Sequence, residues 1–204
     1  MDQAVADCQS DDMQLGAGDA LLIVDLQNDF LPGGRLAVPG GDQVVPLLGE
    51  WARRFAALAL PVVATRDWHP PDHCSFAARG GIWPEHCVAG SEGAEFASGL
   101  VLPESTTVVA KATGRDEEAY SGFAGTGLAN RLREAGVRRL FVGGLATDYC
   151  VLNTVVDALD AGFAVVVLAE AIRAVDVEPG DGERALARMS ARGARIVGSA
   201  EARQ

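Results

Sequence analysis

Residues 139–168, RLFVGGLATDYCVLNTVVDALDAGFAVVVL, hold one complete structural unit. The run at 139–143 (RLFVG) is short and almost wholly apolar, the pattern of a strand covered on both faces. Residues 148–161 read as a helix, and Gly162 follows where a C-terminal cap belongs. A second β-branched run, AVVVL at 164–168, comes next. Strand, helix and strand in such close order predict two parallel strands joined by a crossover.

The alternation extends in both directions. Toward the N-terminus, residues 20–25 (ALLIVD), 61–65 (PVVAT) and 107–111 (TVVAK) read as strands, and residues 43–58 and 125–135 as helices. Toward the C-terminus, a helix over 183–192 precedes a strand at 194–197 (ARIV). Gly136 and Gly193 stand where two of these helices need a cap. The predicted fold class is α/β, a three-layer α/β/α sandwich with a mostly parallel central sheet. Residues 19–204 form this one domain, and the polar, acidic residues 1–18 read as a flexible tail.

Composition bounds the function. Apolar residues make up 49% of the 204 and charged residues 22%, so a packed core is expected. A net charge of -11, from 28 acidic against 17 basic residues, excludes the basic surface that nucleic acid requires. No apolar run is long enough to span a bilayer, and residues 1–18 lack the pattern of an export signal, so a cytoplasmic protein without a membrane partner is expected. Cys8, Cys74, Cys87 and Cys150 are irregularly spaced, which argues for thiols and against a disulfide framework.

In sheets of this class ligands bind at the carboxyl ends of the strands. Those ends hold Asp25, the pair Arg66 and Asp67, Lys111, and the loop 144–148 leading to Cys150. The longest irregular stretch, 67–104, contains all three histidines, His69, His73 and His86, within eighteen residues. Singly, each reads as a polar loop residue. Together, beside a strand-end Asp, they point to a metal site: Asp67 and His69 are two apart and face one way in an extended segment. Oxygen and imidazole donors suit Zn²⁺, Fe²⁺ or Mn²⁺ equally.

Cys150 falls in the first turn of the 148–161 helix, with Thr147 as its expected N-cap. There the helix dipole favours a thiolate, although a buried inert cysteine is an equal reading of that helix alone. Asp25 taken singly reads as a cap, and Lys111 as a surface-reaching strand end. As a trio they make nucleophile, base and cationic partner. An ordinary Asp lies about 4.6 pKa units below a thiol, roughly 6 kcal/mol, so burial of the Asp and the nearby lysine must narrow the gap.

Five stretches carry a resemblance: VDLQNDF (24–30), RDWHPPDHCSF (66–76), WPEHCVAGSEGAEF (83–96), VVAKATGRDEEAYSGF (108–123) and GGLATDYCVLNTVVDA (143–158). From about residue 20 to about residue 172 the chain resembles the nicotinamidase branch of the isochorismatase-like cysteine hydrolases, whose fold is Rossmann-like. The order Asp, Lys, Cys is common to that superfamily; the histidine loop with WPEHCVAG and EAYSGF is more specific. The resemblance implies hydrolysis of nicotinamide to nicotinate and ammonia through a cysteine thioester, in pyridine nucleotide salvage, with pyrazinamide-like amides also accepted. Asp25 is implied as general base, Lys111 as its cationic partner and Cys150 as nucleophile. The backbone N–H groups of Ala146 and Cys150 are implied as the oxyanion hole, beside a cis peptide preceding Ala146. Asp67, His69 and His86 would hold one divalent metal ion, zinc, iron or manganese, that orients the pyridine nitrogen, with His73 a further or outer contact. Phe30 and Trp83 would sandwich the ring. A homo-oligomer is compatible with all of this. The rivals are a relative acting on a carbamoyl or ureido substrate, which needs no such metal set, and a catalytically silent binding member of the fold.

Overall fold

The computed structural model describes residues 14–198; residues 1–13 of the expected tail, with Cys8, and residues 199–204 lie outside the described residues. Six parallel strands form the sheet: β1 (Asp19–Val24), β2 (Val62–Asp67), β3 (Thr107–Lys111), β4 (Arg139–Leu145), β5 (Ala164–Arg173) and β6 (Arg195–Val197). Their order in space is β3-β2-β1-β4-β5-β6. The helices are α1 (Val44–Ala57), α2 (Leu128–Glu134), α3 (Leu152–Asp160) and α4 (Asp181–Ala191).

Alternation of side chains along each strand divides the core into two layers. Leu21 and Ile23 of β1, with Phe141 of β4, pack on Leu48, Trp51 and Phe55 of α1. Phe141 stacks on Trp51 at 5.9 Å between ring centroids and meets Phe55 edge-on at 5.5 Å. Ala20, Leu22 and Val24 face the other way, toward Leu132 of α2, Val155 and Ala158 of α3, and Met189 of α4. Both sheet faces are therefore covered, which is why the strands read as continuous apolar runs.

Several expected boundaries move: β5, expected to end at 168, runs on to Arg173, β2 and β4 each run two residues further than expected, and three helix starts shift for local reasons. The helix expected over 125–135 begins at Leu128, because Gly125 and Gly127 take left-handed conformations. The helix expected from 183 begins at Asp181, directly after the left-handed Gly180. At 148–161 the chain first makes a wide π-helical turn, Thr147–Val151, in which the Val151 N–H donates to the Ala146 carbonyl at 3.0 Å, and only then enters α3. Ala146, not Thr147, occupies the cap position, so the expected Thr147 cap is absent; Cys150 nevertheless lies in this first turn.

Sheet order explains where a ligand can sit. β1 runs between β2 and β4, and chain connections leave it in opposite directions, opening a crevice at the strand ends. The β1 and β4 backbones approach closely at that point. A Cβ on Gly144, whose φ is 132°, would lie 2.0 Å from the Val24 carbonyl oxygen. We predict that Gly144→Ala destabilises the fold by about 3 kcal/mol or more, lowering Tm by about 6 °C or more in a thermal melt. A melt unchanged within about 1 °C would show that the two strand ends are not held by this contact.

Candidate active site

Four adjacent strand ends deliver the polar cluster. Asp25 follows β1, Asp67 ends β2, Lys111 ends β3, and Cys150 sits in the wide turn after β4. All four side chains are buried. The Lys111 ammonium lies 2.9 Å from Asp25 Oδ2, 2.5 Å from Asp67 Oδ1 and 3.5 Å from Cys150 Sγ, and it also donates to the Ala119 carbonyl at 3.0 Å. Thr65, one of the buried residues of β2, donates its hydroxyl to Asp25 Oδ1 at 2.7 Å. That bond leaves Oδ2 for the lysine. Acceptor atoms of Asp25, Asp67 and Cys150 all fall within 4.8 Å of one another.

Charge in such a site is conserved locally. Burial disfavours the Lys111 ammonium, but Asp25 and Asp67 outweigh it and hold the proton on well above the usual lysine range. Burial would likewise raise Asp67, yet the Lys111 ammonium at 2.5 Å keeps it well below the usual carboxylate range. These two therefore form an internal ion pair. Asp25 and Cys150 are both pushed up, chiefly by burial, with Lys111 opposing in each case. The cluster thus resists losing a further proton to water. Passing the thiol proton to Asp25 within the cluster leaves its total charge unchanged, so burial opposes that transfer much less.

The second group adjoins the first through Asp67. Its Oδ2 lies 3.7 Å from His69 Nε2, and donor atoms of Asp67, His69 and His86 lie within 4.8 Å of one another. The His69 Nδ1–H donates to the Ala112 carbonyl at 3.2 Å, and the His86 Nδ1–H to the Pro84 carbonyl at 2.8 Å. Those bonds fix each ring with Nε2 as the lone-pair nitrogen. His69 Nε2 is buried without a protein partner, the state of an imidazole prepared for a cation. Burial also shifts His86 toward its neutral form. His73 differs: its Nε2–H donates to the Glu117 carbonyl at 2.9 Å, and its Nδ1 accepts from the Ser75 hydroxyl at 2.7 Å. Both nitrogens are engaged, and the ring lies against His69 at 4.2 Å.

Phe30, Trp83, Ala146 and Cys150 line one cleft with the three histidines. The Leu145–Ala146 peptide is cis, as the resemblance implied. Two lining aromatics were not singled out from sequence. Tyr120 accepts from the Trp83 indole N–H at 2.9 Å, and Tyr149 meets the Trp83 ring edge-on at 5.0 Å. They are the only two tyrosines in the chain, and each sits inside a stretch quoted above, EAYSGF and ATDYC.

A model of the isochorismatase domain matches residues 19–201. The chain belongs to the isochorismatase family. Within it, the nicotinamidase of Escherichia coli (strain K12) is 39% identical over 198 residues, covering 87% of this chain and 93% of that protein. The nicotinamidase of Acinetobacter baylyi is 36% identical over 202 residues, with 88% and 92% covered. Among solved structures, the pyrazinamidase of Pyrococcus horikoshii in complex with zinc superposes with a TM-score of 0.85 at 50% identity, covering 89% of this chain and 99% of that one. Membership of the isochorismatase family agrees with the adjacency of a buried Asp, Lys and Cys at neighbouring strand ends.

The electrostatics make a direct prediction for this thiol. Since thiolate is the reactive form and burial raises the Cys150 pKa, iodoacetamide labelling of Cys150 should keep accelerating above pH 9. Lys111 is the group that opposes the rise, so Lys111→Met should slow labelling at pH 8 by about tenfold or more. Labelling of Cys150 followed by peptide mass spectrometry checks both. A profile already level at pH 8.5, or one indifferent to Lys111→Met, would contradict the assignment.

Proposed function

We propose that the chain is a nicotinamidase, a cysteine amidohydrolase converting nicotinamide to nicotinate and ammonia, and that it accepts pyrazinamide. The observation that carries this reading is the joining, through Asp67, of a buried Asp, Lys and Cys cluster to the His69 and His86 imidazoles, the Nε2 of His69 buried without a partner, in one aromatic-lined cleft. The similarity to two nicotinamidases and a pyrazinamidase agrees with it.

In the proposed mechanism Cys150 Sγ attacks the carboxamide carbon while its proton passes to Asp25. Lys111 stays protonated throughout and compensates whichever of the two carries negative charge. The oxyanion is held by the backbone N–H groups of Ala146 and Cys150. Asp25 returns the proton to the amide nitrogen, the C–N bond breaks, and ammonia leaves a thioester on Cys150. Asp25 then takes a proton from water as its oxygen attacks the same carbon. The C–S bond breaks, the acid departs, and the proton on Asp25 restores the thiol.

Asp67, His69 and His86 are proposed as the ligands of one divalent ion, zinc, iron or manganese. The orphaned Nε2 of His69 and the carboxylate oxygen 3.7 Å from it suit such a cation. Bound there, the ion supplies a Lewis acid that orients the pyridine nitrogen of the substrate. Phe30 and Trp83 would flank the ring, with Tyr120 and Tyr149 bracing Trp83. No described helix is long and apolar enough to cross a membrane. A cytoplasmic location belongs to the proposal, supported by the free thiols of Cys74, Cys87 and Cys150 among the described residues. Residues 19–204 as the catalytic domain complete it; residues 14–18, part of the expected tail, are instead tied to that domain, with Leu15 against the core and the Gln14 carbonyl accepting from Arg139 at 3.0 Å.

Ammonia release measured with purified protein tests the reading. Cys150→Ala should lower nicotinamide turnover by about 10³-fold or more with near-UV circular dichroism unchanged. Benzamide, which has the shape and the amide but lacks the ring nitrogen, should be poorer than nicotinamide by about 10²-fold or more in kcat/KM. Equal rates for the two amides would remove the ring-orienting role from Asp67, His69 and His86. Absence of ammonia release from both would refute the nicotinamidase reading.

A further inference from the structure

The stretch VDLQNDF supplies Asp25 and Phe30 to the cleft, but Gln27 and Asp29 between them take no part in the chemistry. Both are buried, at 0% and 6% exposure, although each carries strongly polar atoms. What they bind explains why.

The β1–β2 register ends at Ile23 and Ala64, a last backbone bond runs from the Asp25 N–H to the Thr65 carbonyl at 3.2 Å, and the left-handed Asp25 then turns the β1 backbone away. Asp67, three residues beyond Ala64, has lost its neighbour on that side. The Gln27 side chain replaces it. Its Oε1 accepts from the Asp67 N–H at 2.8 Å, and its Nε2 donates to the Asp67 carbonyl at 2.8 Å. A side-chain amide here pairs both backbone groups of one residue as a neighbouring peptide would. The same Nε2 also donates to the Ala94 carbonyl at 2.8 Å, tying in the far limb of the 68–104 loop.

Asp29 acts on the other arm. The histidine segments run beside each other: the His69 N–H donates to the Cys87 carbonyl at 3.0 Å, and the Ala89 N–H to the His69 carbonyl at 2.8 Å. Asp29 Oδ2 accepts from the Cys87 N–H at 2.7 Å, one residue from His86. Its Oδ1 accepts from the Arg35 N–H at 3.2 Å. The carboxylate is seated against Gly93, where an added Cβ would lie 2.1 Å from Oδ2. Neither Gln27 nor Asp29 offers an atom to the donor set of Asp67, His69 and His86.

We infer that Gln27 and Asp29 are positioning residues for the metal site, Gln27 setting the Asp67 arm and Asp29 the paired His69 and His86 arm, so that one turn after β1 fixes all three donors. This rests on the proposed role of those donors. Groups that orient ligands in this way typically govern metal affinity by about 10- to 100-fold.

The test is the dissociation constant for Zn²⁺, measured on metal-stripped full-length protein by competition with a chromophoric chelator. Gln27→Leu and Asp29→Ala should each weaken binding by about 10-fold or more. Asp29→Asn keeps an acceptor for the Cys87 N–H and should stay within about threefold of the parent protein. Thr154→Val, which removes the acceptor for the Gly122 N–H elsewhere in the core, should lower Tm yet leave Zn²⁺ affinity unchanged. If Gln27→Leu or Asp29→Ala does not fold, Gln27→Met takes its place with the same expected loss. Unchanged affinity in the folded Gln27 or Asp29 variants would overturn the inference while leaving the metal site standing. Failure of the parent protein to bind Zn²⁺ would overturn both.

Discussion

The Lys111 ammonium is the constraint on which the rest of the site depends. Its side chain is fully buried, and an isolated cation there would cost several kcal/mol in lost hydration. Asp25 and Asp67 offset that cost at 2.9 and 2.5 Å. To bring two carboxylates and a thiol around one ammonium, the chain needs four strand ends side by side. The order β3-β2-β1-β4 provides them, each strand contributing one group. The central strands β1 and β4 are buried on both faces, which holds these ends in register, and the helices cover those faces.

A site carrying two carboxylates, one ammonium and one thiol has little room for error in proton number. With Lys111 charged and Asp67 ionised, Asp25 and Cys150, both pushed up by burial, are the pair left to exchange a proton. The reading from sequence had the lysine and the helix dipole lowering the thiol. Burial outweighs them, and the thiol is raised. In the proposed mechanism the nucleophile is therefore generated by exchange inside the cluster and not by ionisation into solvent. Thr65 takes part by occupying Oδ1 of Asp25, a role that its place inside the apolar run PVVAT concealed.

What sequence made legible follows from what is periodic or chemically conspicuous. The six strands and four α-helices of the described residues announced themselves through apolar runs and glycine stops, because burial on both faces of the central strands leaves no alternative composition. Asp25 and Lys111 stood at predicted strand ends, Cys150 in the first turn of a predicted helix, and the histidines were crowded into one loop. Boundaries were misjudged where backbone conformation decided them, as at Gly125 and Gly127, and at Ala146, where a π-helical turn displaced the expected Thr147 cap. His73 could not be separated from His69 and His86 by spacing, because its difference lies in two hydrogen bonds to Ser75 and Glu117. Such partners are distant or conformational, and no local pattern encodes them.

Asp67 joins the two halves of the site, and strand geometry makes this economical. Side chains alternate along an extended segment, so residues 67 and 69 share one side while Trp68 goes to the other. Trp68 packs against the core there, with the Arg66 guanidinium 3.7 Å from its ring centroid. Asp67 then divides its oxygens, Oδ1 to the Lys111 ammonium and Oδ2 toward His69 Nε2. A carboxylate shared in this way cannot move for one group without moving for the other. The distance from the imidazole pair to Cys150 is thus set by a single side chain at a paired strand end, and under the proposed function a ring held at one half presents its amide to the other at a fixed separation.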